Sequence, residues 1–114
     1  MGQPWVRLLI LSESPPEVGE FSFPSKLAIG DEVIALCLVK KGSAGPYRIT
    51  WSKDGAQLKP SQRISMSALF QSGAALSIAS LRPEDVGNYT CTATNAVGSD
   101  SASAMLVVNG MKLC

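Results

Sequence analysis

One stretch, Asp85-Val86-Gly87-Asn88-Tyr89-Thr90-Cys91, constrains the fold of this chain more than any other. It reads as a tight corner running directly into a strand. Gly87 is expected to supply a backbone conformation that a Cβ resists. Tyr89 and Cys91 stand two residues apart, so they share one face of that strand. Upstream, Cys37 sits in a second strand-like run, Asp31-Glu32-Val33-Ile34-Ala35-Leu36-Cys37-Leu38-Val39. Trp51 closes a third, Tyr47-Arg48-Ile49-Thr50-Trp51. The chain thus carries the order Cys, Trp, Tyr-x-Cys on successive strands.

The remaining sequence is punctuated in the same way. Early prolines, in Ser14-Pro15-Pro16-Glu17 and at Pro24, fit an edge strand broken into two parts, because proline cannot donate to a central ladder. Lys40 to Pro46 is a loop by composition, and Asp54-Gly55 is a short hairpin turn. Arg63 to Ser67 and Ala74 to Ala79 alternate as strands, and Tyr89 to Thr94 and Ser101 to Val108 form a last hairpin around Asn95-Ala96-Val97-Gly98. Helical periodicity is absent. Seven or eight short strands in 114 residues mean one all-β domain, an antiparallel sandwich. Residues 13–109 are read as that domain, 1–12 as a leader segment too short in its apolar part for a signal peptide, and 110–114 as a tail carrying Cys114.

Composition excludes several function classes. A net charge of +1 leaves no electrostatic footprint for nucleic acid. With no histidine, the commonest general base and metal ligand is missing, and no Ser/His/Asp or Cys/His arrangement exists. The acidic residues are scattered, unlike a calcium site. Glu84 and Asp85 are neighbours in sequence without sharing a site, and Lys40, Lys41 and Lys53 read as solvated turn residues. No run approaches the ~20 apolar residues that span a bilayer. We therefore expect no catalytic residue, metal, cofactor, nucleic-acid partner or membrane contact.

Residues 13–109 resemble an immunoglobulin domain of the intermediate (I) set. The resemblance is carried by Gly30-Asp31, Cys37, Trp51-x-Lys53-Asp54-Gly55, Arg63, Leu76-x-Ile78, Leu81, Asp85-x-Gly87-x-Tyr89-x-Cys91, Ala93-x-Asn95-x-x-Gly98 and Leu106-x-Val108. It implies two sheets linked by a Cys37–Cys91 disulfide, with Trp51 and Tyr89 in the core beside it, and an ion pair between Arg63 and Asp85. In the chain-entropy model a bridge across so long a loop stabilises the fold by roughly 4 kcal/mol. It would also place the protein outside the reducing cytosol. The alternative is a pair of buried thiols, as in intracellular muscle immunoglobulin domains. Pro15-Pro16, Phe21-x-Phe23, Cys37-x-Val39-x-Lys41-Gly42 and Ile49-x-Trp51 further resemble the variable immunoglobulin domains of the Dscam (Down syndrome cell adhesion molecule) family, nearest the N-terminal domain of its shortened arthropod forms. That resemblance implies isoform-specific, antiparallel homophilic binding. It also implies further immunoglobulin or fibronectin domains in the same chain, and an extracellular place in a single-pass surface protein.

Strand parity adds an independent signal. With Cys37 inward, Val33, Ala35 and Val39 face the core, while Ile34, Leu36 and Leu38 face out. Outward positions of such sheets are normally polar. On the strand expected alongside, Leu76 and Ile78 point in, leaving the small residues Ala75, Ser77 and Ala79 outside. This predicts a homophilic surface on the sheet that such domains build from strands A, B, E and D, with Phe23 at its edge. A bulge that shifts the parity, a covering segment, or chance exposure would remove it. The opposite face, with Arg48, Thr50, Ser52, Asn88, Thr90, Thr92 and Thr94 outward, reads as polar. Asn88-Tyr89-Thr90 is an N-glycosylation sequon on that face. Two other functions compete: heterophilic recognition through end loops at Lys40–Pro46 and Asn95–Ser99, and a spacer inside a longer chain. An enzyme is not expected.

Overall fold

The computed structural model describes residues 15–40, 48–69 and 73–109. The leader at 1–12, the 110–114 tail with Cys114 and the loop of residues 41–47 lie outside the described residues. The described residues form nine strands in order: β1 (Leu27–Ala28), β2 (Val33–Leu38), β3 (Arg48–Lys53), β4 (Ala56–Gln57), β5 (Ile64–Leu69), β6 (Gly73–Ile78), β7 (Gly87–Thr94), β8 (Ser99–Leu106) and β9 (Val108–Asn109). One sheet has the order β2-β6-β5 and the other β4-β3-β7-β8. All pairs in both are antiparallel. A 3-10 turn, Pro83–Asp85, makes the corner into β7.

The two sheets face each other because each strand alternates. β2 is buried at Val33, Ala35 and Cys37 and exposed at Ile34, Leu36 and Leu38. β7 buries Tyr89, Cys91 and Ala93 on the same rule. A disulfide joins Cys37 to Cys91 across the sandwich with their Cα atoms 6.3 Å apart. Around it lie Trp51, Leu76, Ile78, Leu81 and Leu106, all within the core. Trp51 stands opposite Cys91 in the β3–β7 register.

The proline-rich start does split in two. Val18 bridges antiparallel to Val39 at the end of β2, and Lys40 N–H donates to the Glu17 carbonyl at 2.7 Å. After Pro24 the chain has changed sides, and β1 runs parallel to β9, with Leu27 opposite Val108. Val18 N–H also donates to Asp100 Oδ2 at 2.8 Å, tying this first segment to β8.

Phe23 needs correction. It is half-buried, with its ring edge-on to Tyr89 at 5.5 Å and to Phe21 at 5.8 Å. It therefore closes the core between the sheets and does not extend the outer face. Here the chain crosses from the side of β2 to that of β9, which carries Phe23 away from the outer face of β2.

Gly87 also differs from expectation, in its reason if not in its need. Its φ is not among the positive ones. Space is what excludes a side chain: a Cβ there would meet Asp54 Oδ2 at 2.6 Å and Lys53 Cε at 2.8 Å. Asp54 comes this close because it and Gly55 form the β3–β4 turn with φ of 51° and 88°, the left-handed pair that tight hairpins require. From there Asp54 N–H donates to the Asn88 carbonyl at 2.8 Å and Asp54 Oδ1 accepts from Asn88 N–H at 2.9 Å. Gly87→Ala is expected to destabilise the domain by about 1–3 kcal/mol through overpacking. Urea unfolding checks this, and the cost should shrink in an Asp54→Ala background, since neighbouring sites are not additive.

Candidate recognition surface

The corner before β7 explains how the sheets are held in phase. Arg63, at the approach to β5, is two-pronged on Asp85: Nη1 donates to Oδ2 at 3.0 Å and Nη2 to Oδ1 at 3.1 Å. The same guanidinium donates to the carbonyls of Ala79 and Ser80, at 3.1 and 3.2 Å. Arg82 N–H donates to Asp85 Oδ2 at 2.8 Å, and the Tyr89 hydroxyl donates to the Asp85 carbonyl at 2.6 Å. Lys53 Nζ donates to the Glu84 carbonyl, so β3 grips the corner too. Asp85 is buried, and the pair with Arg63 gives that burial its counter-charge. These groups are all engaged with one another, in an arrangement that builds structure and leaves no reactive atom free.

The candidate surface lies on the far side of the first sheet. Ile34, Leu36 and Leu38 are 58%, 48% and 47% exposed, in one column along β2. Register places Ser77 beside Ile34 and Ala75 beside Leu36, then Ser65 and Ser67 of β5 beyond them. Ala75 and Ser77 are half-buried and Ser65 and Ser67 exposed. Ala79, just past β6, is half-buried and its N–H donates to the Arg63 carbonyl at 2.9 Å. The face is thus an aliphatic ridge beside a shelf of small side chains. No charged side chain stands at these outer positions. Such a face offers shape and apolar area but no acid, base or ligand set. Among the described residues no group of three or more His, Cys, Asp or Glu is placed to hold a metal ion. No helix among them is long and apolar enough to cross a membrane.

Residues 16–108 match the immunoglobulin I-set domain. The chain belongs to the immunoglobulin I-set family. Among its relatives, Cell adhesion molecule 2 of Xenopus tropicalis is 35% identical over 80 residues, covering 70% of this chain and 17% of that protein. Cell adhesion molecule DSCAML1 of Homo sapiens is 37% identical over 95 residues, covering 82% of this chain and 4% of that protein. The chain therefore spans a small part of either relative. Among solved structures, the Dscam1 Ig7 domain, isoform 9, superposes with a TM-score of 0.77 at 34% identity, over 83% of this chain and all of that one, 100%. The I67-I69 fragment of titin gives 0.76 at 32% identity, over 85% of this chain and 33% of that one. I-set domains of this kind are not enzymes, and the resemblance to Dscam domains holds in both sequence and structure.

The I-set reading of the sequence missed one feature. The second sheet's outer face is not uniformly polar: Met105 and Val107 are 58% and 51% exposed, with Val86 exposed beside them. The outward residues expected on this face all lie on β3 and β7, not on β8. Taking Leu106 as inward would have turned Met105 and Val107 out.

Stability should depend on pH at both ends of the scale. Burial pushes the Asp85 carboxyl up, but the Arg63 guanidinium and the Arg82 N–H outweigh it and hold the carboxyl below its ordinary value. Its contribution is then present above the unfolded-chain value, near ~4, and is lost as pH falls through the depressed native value. Asp85→Ala is expected to cost on the order of 3 kcal/mol at neutral pH and to flatten the acid limb. For Tyr89, burial first and the Asp85 and Asp54 charges second push the phenol up to about 12. Its contribution is complete below the unfolded value, near ~10, and fades as pH rises through the native one. Tyr89→Phe should flatten that alkaline limb and remove about 1 kcal/mol below it. Urea denaturation across pH checks both.

Proposed function

We propose that this domain is an extracellular recognition module that binds a second copy of itself, acting in cell adhesion within a longer single-pass surface protein. The observation that carries the reading is the exposed column Ile34, Leu36 and Leu38 beside the shelf of Ala75 and Ser77. Three large aliphatic side chains in one row, on strands that carry no charged residue, lose water favourably against an apolar partner. Each is about half exposed, so its burial adds roughly half of the ~1.5–3 kcal/mol for a fully exposed side chain, before the cost of association. Two copies related by a twofold axis running across the strands would lie antiparallel, with the ridge of one on the ridge of the other, an isologous contact. Likeness to two cell adhesion molecules, and to a Dscam1 immunoglobulin domain, supports adhesion as the setting. On this reading the pairing is isoform-specific, and further immunoglobulin or fibronectin domains continue the chain.

A second reading, a spacer domain of a filament with its thiols reduced, is favoured by the likeness to titin. Thiol counting in denaturant separates the two. The adhesion reading expects one free thiol, Cys114, among the chain's three cysteines, and the spacer reading expects three.

Sedimentation equilibrium over a wide concentration range tests the surface itself. Wild type is expected to dimerise, and Leu36→Asp, folded by circular dichroism, to dimerise at least about tenfold more weakly. A wild-type chain that stays monomeric would shift the reading to a heterophilic partner at the end loop Asn95–Ser99, where Val97 is 46% exposed.

A further inference from the structure

The apolar cluster on the second sheet has a sequon at its centre. Gly87 pairs with Leu106 and Asn88 with Met105 in the β7–β8 register. Leu106 is fully buried, so Met105 and Val107 point outward on either side of it. Val86, 37% exposed, directly precedes β7 at the same end. Further along this face the outer positions are Thr90 and Thr92 with their partners Ser103 and Ser101, all hydroxyl-bearing. Val86, Met105 and Val107 are therefore an apolar island in a polar sheet, and Asn88 is the exposed polar residue among them. Apolar side chains grouped on a polar face lose water favourably when another group lies over them. The hydrogen bonds of Asn88 to Asp54 are made by its main chain, which fixes the residue at the strand start while its side chain reaches solvent.

We propose that Asn88 carries an N-linked glycan whose first sugars lie over Val86, Met105 and Val107. A bond forms between Asn88 Nδ2 and C1 of the reducing-end N-acetylglucosamine of a lipid-pyrophosphate oligosaccharide. The C1–O bond to pyrophosphate breaks, the lipid pyrophosphate leaves with the electron pair, and the amide gives up one proton. Thr90 supplies the hydroxyl that completes the acceptor sequence. In the folded domain that hydroxyl lies 2.7 Å from Ser103 Oγ, on the exposed face of the β7–β8 pair. The Cys37–Cys91 bond and the glycan belong to the same oxidising secretory compartment. This inference shares with the adhesion reading only that location. A monomeric protein would overturn self-association and leave the glycan untouched.

The test is secretion of the chain behind an added signal peptide from a mammalian cell line, with intact-mass measurement before and after peptide N-glycosidase F. The expected result is a loss of one oligosaccharide, with Asp left at position 88 by peptide mapping, retained in Thr90→Ser and absent in Asn88→Gln. Folded secreted protein with Asn88 unmodified would overturn the proposal. Dilute peroxide then reads the cover, because methionine oxidation follows exposure. Met105 is expected to oxidise severalfold more slowly in the glycosylated wild type than after enzymatic removal of the sugar under native conditions, with half-buried Met66 as the internal reference. Equal rates would overturn the covering role. So would protection of Met105 that persists without sugar and depends on a neighbouring domain. Because the sugar is removed from folded wild type, this comparison does not depend on any variant folding.

Discussion

Cys37 and Cys91 sit at the middle of the two sheets, and the orientation of nearly every other side chain follows from them. A strand has only two faces, so one inward residue fixes all its neighbours. Cys37 sets β2, and through the register β2 sets β6 and β5. Cys91 sets β7, which sets β3 on one side and β8 on the other. A slip of one residue in β2 would bury Ile34, Leu36 and Leu38 and expose Cys37. The disulfide forbids it. The apolar ridge is therefore a consequence of the same constraint that builds the core, and cannot be relieved by local rearrangement.

The corner at Asp85 serves the same end by different means. Arg63 comes from the first sheet and Tyr89 from the second, and both terminate on Asp85, one on the carboxylate and one on the carbonyl. Lys53 and Asp54 add a third approach from the β3–β4 turn. Four segments meet over a few atoms, which leaves room for nothing larger than a hydrogen at Gly87. These charges lock the sandwich at its corner, while β2, β6 and β5 themselves carry no charged residue.

Much of this was legible in the sequence because the signals were local or anchored. The parity of β2 and β7 could be read from one cysteine each, and the Asp54-Gly55 turn from a dipeptide with a known backbone requirement. The failures share a cause. Phe23 lies where the chain changes sheets, and no period survives such a crossing. Gly87 is glycine because Asp54 arrives from another strand, a tertiary fact that no local pattern encodes. Met105 and Val107 were readable in principle but needed Leu106 as a phase reference, and a strand of Ser, Ala and Met offers little contrast to find it.

The two outer faces differ in a way that bears on how such a domain would be used. Both carry exposed aliphatic groups, yet the residues around them are of opposite kinds. Beside Leu36 stand alanine and serine, small enough for another sheet to lie flat. Beside Met105 stands Asn88, with Thr90 two residues on, the one sequence on the chain's described strands that invites a bulky hydrophilic polymer. A sheet cannot pack against a face that bears such a polymer, so an occupied Asn88 would close the second face to protein partners. The first face would then be the broad apolar surface left open. Ridge, shelf and sequon are separate features of the sequence, but the sandwich puts them on opposite sides, and that placement gives a symmetric contact a single face to use.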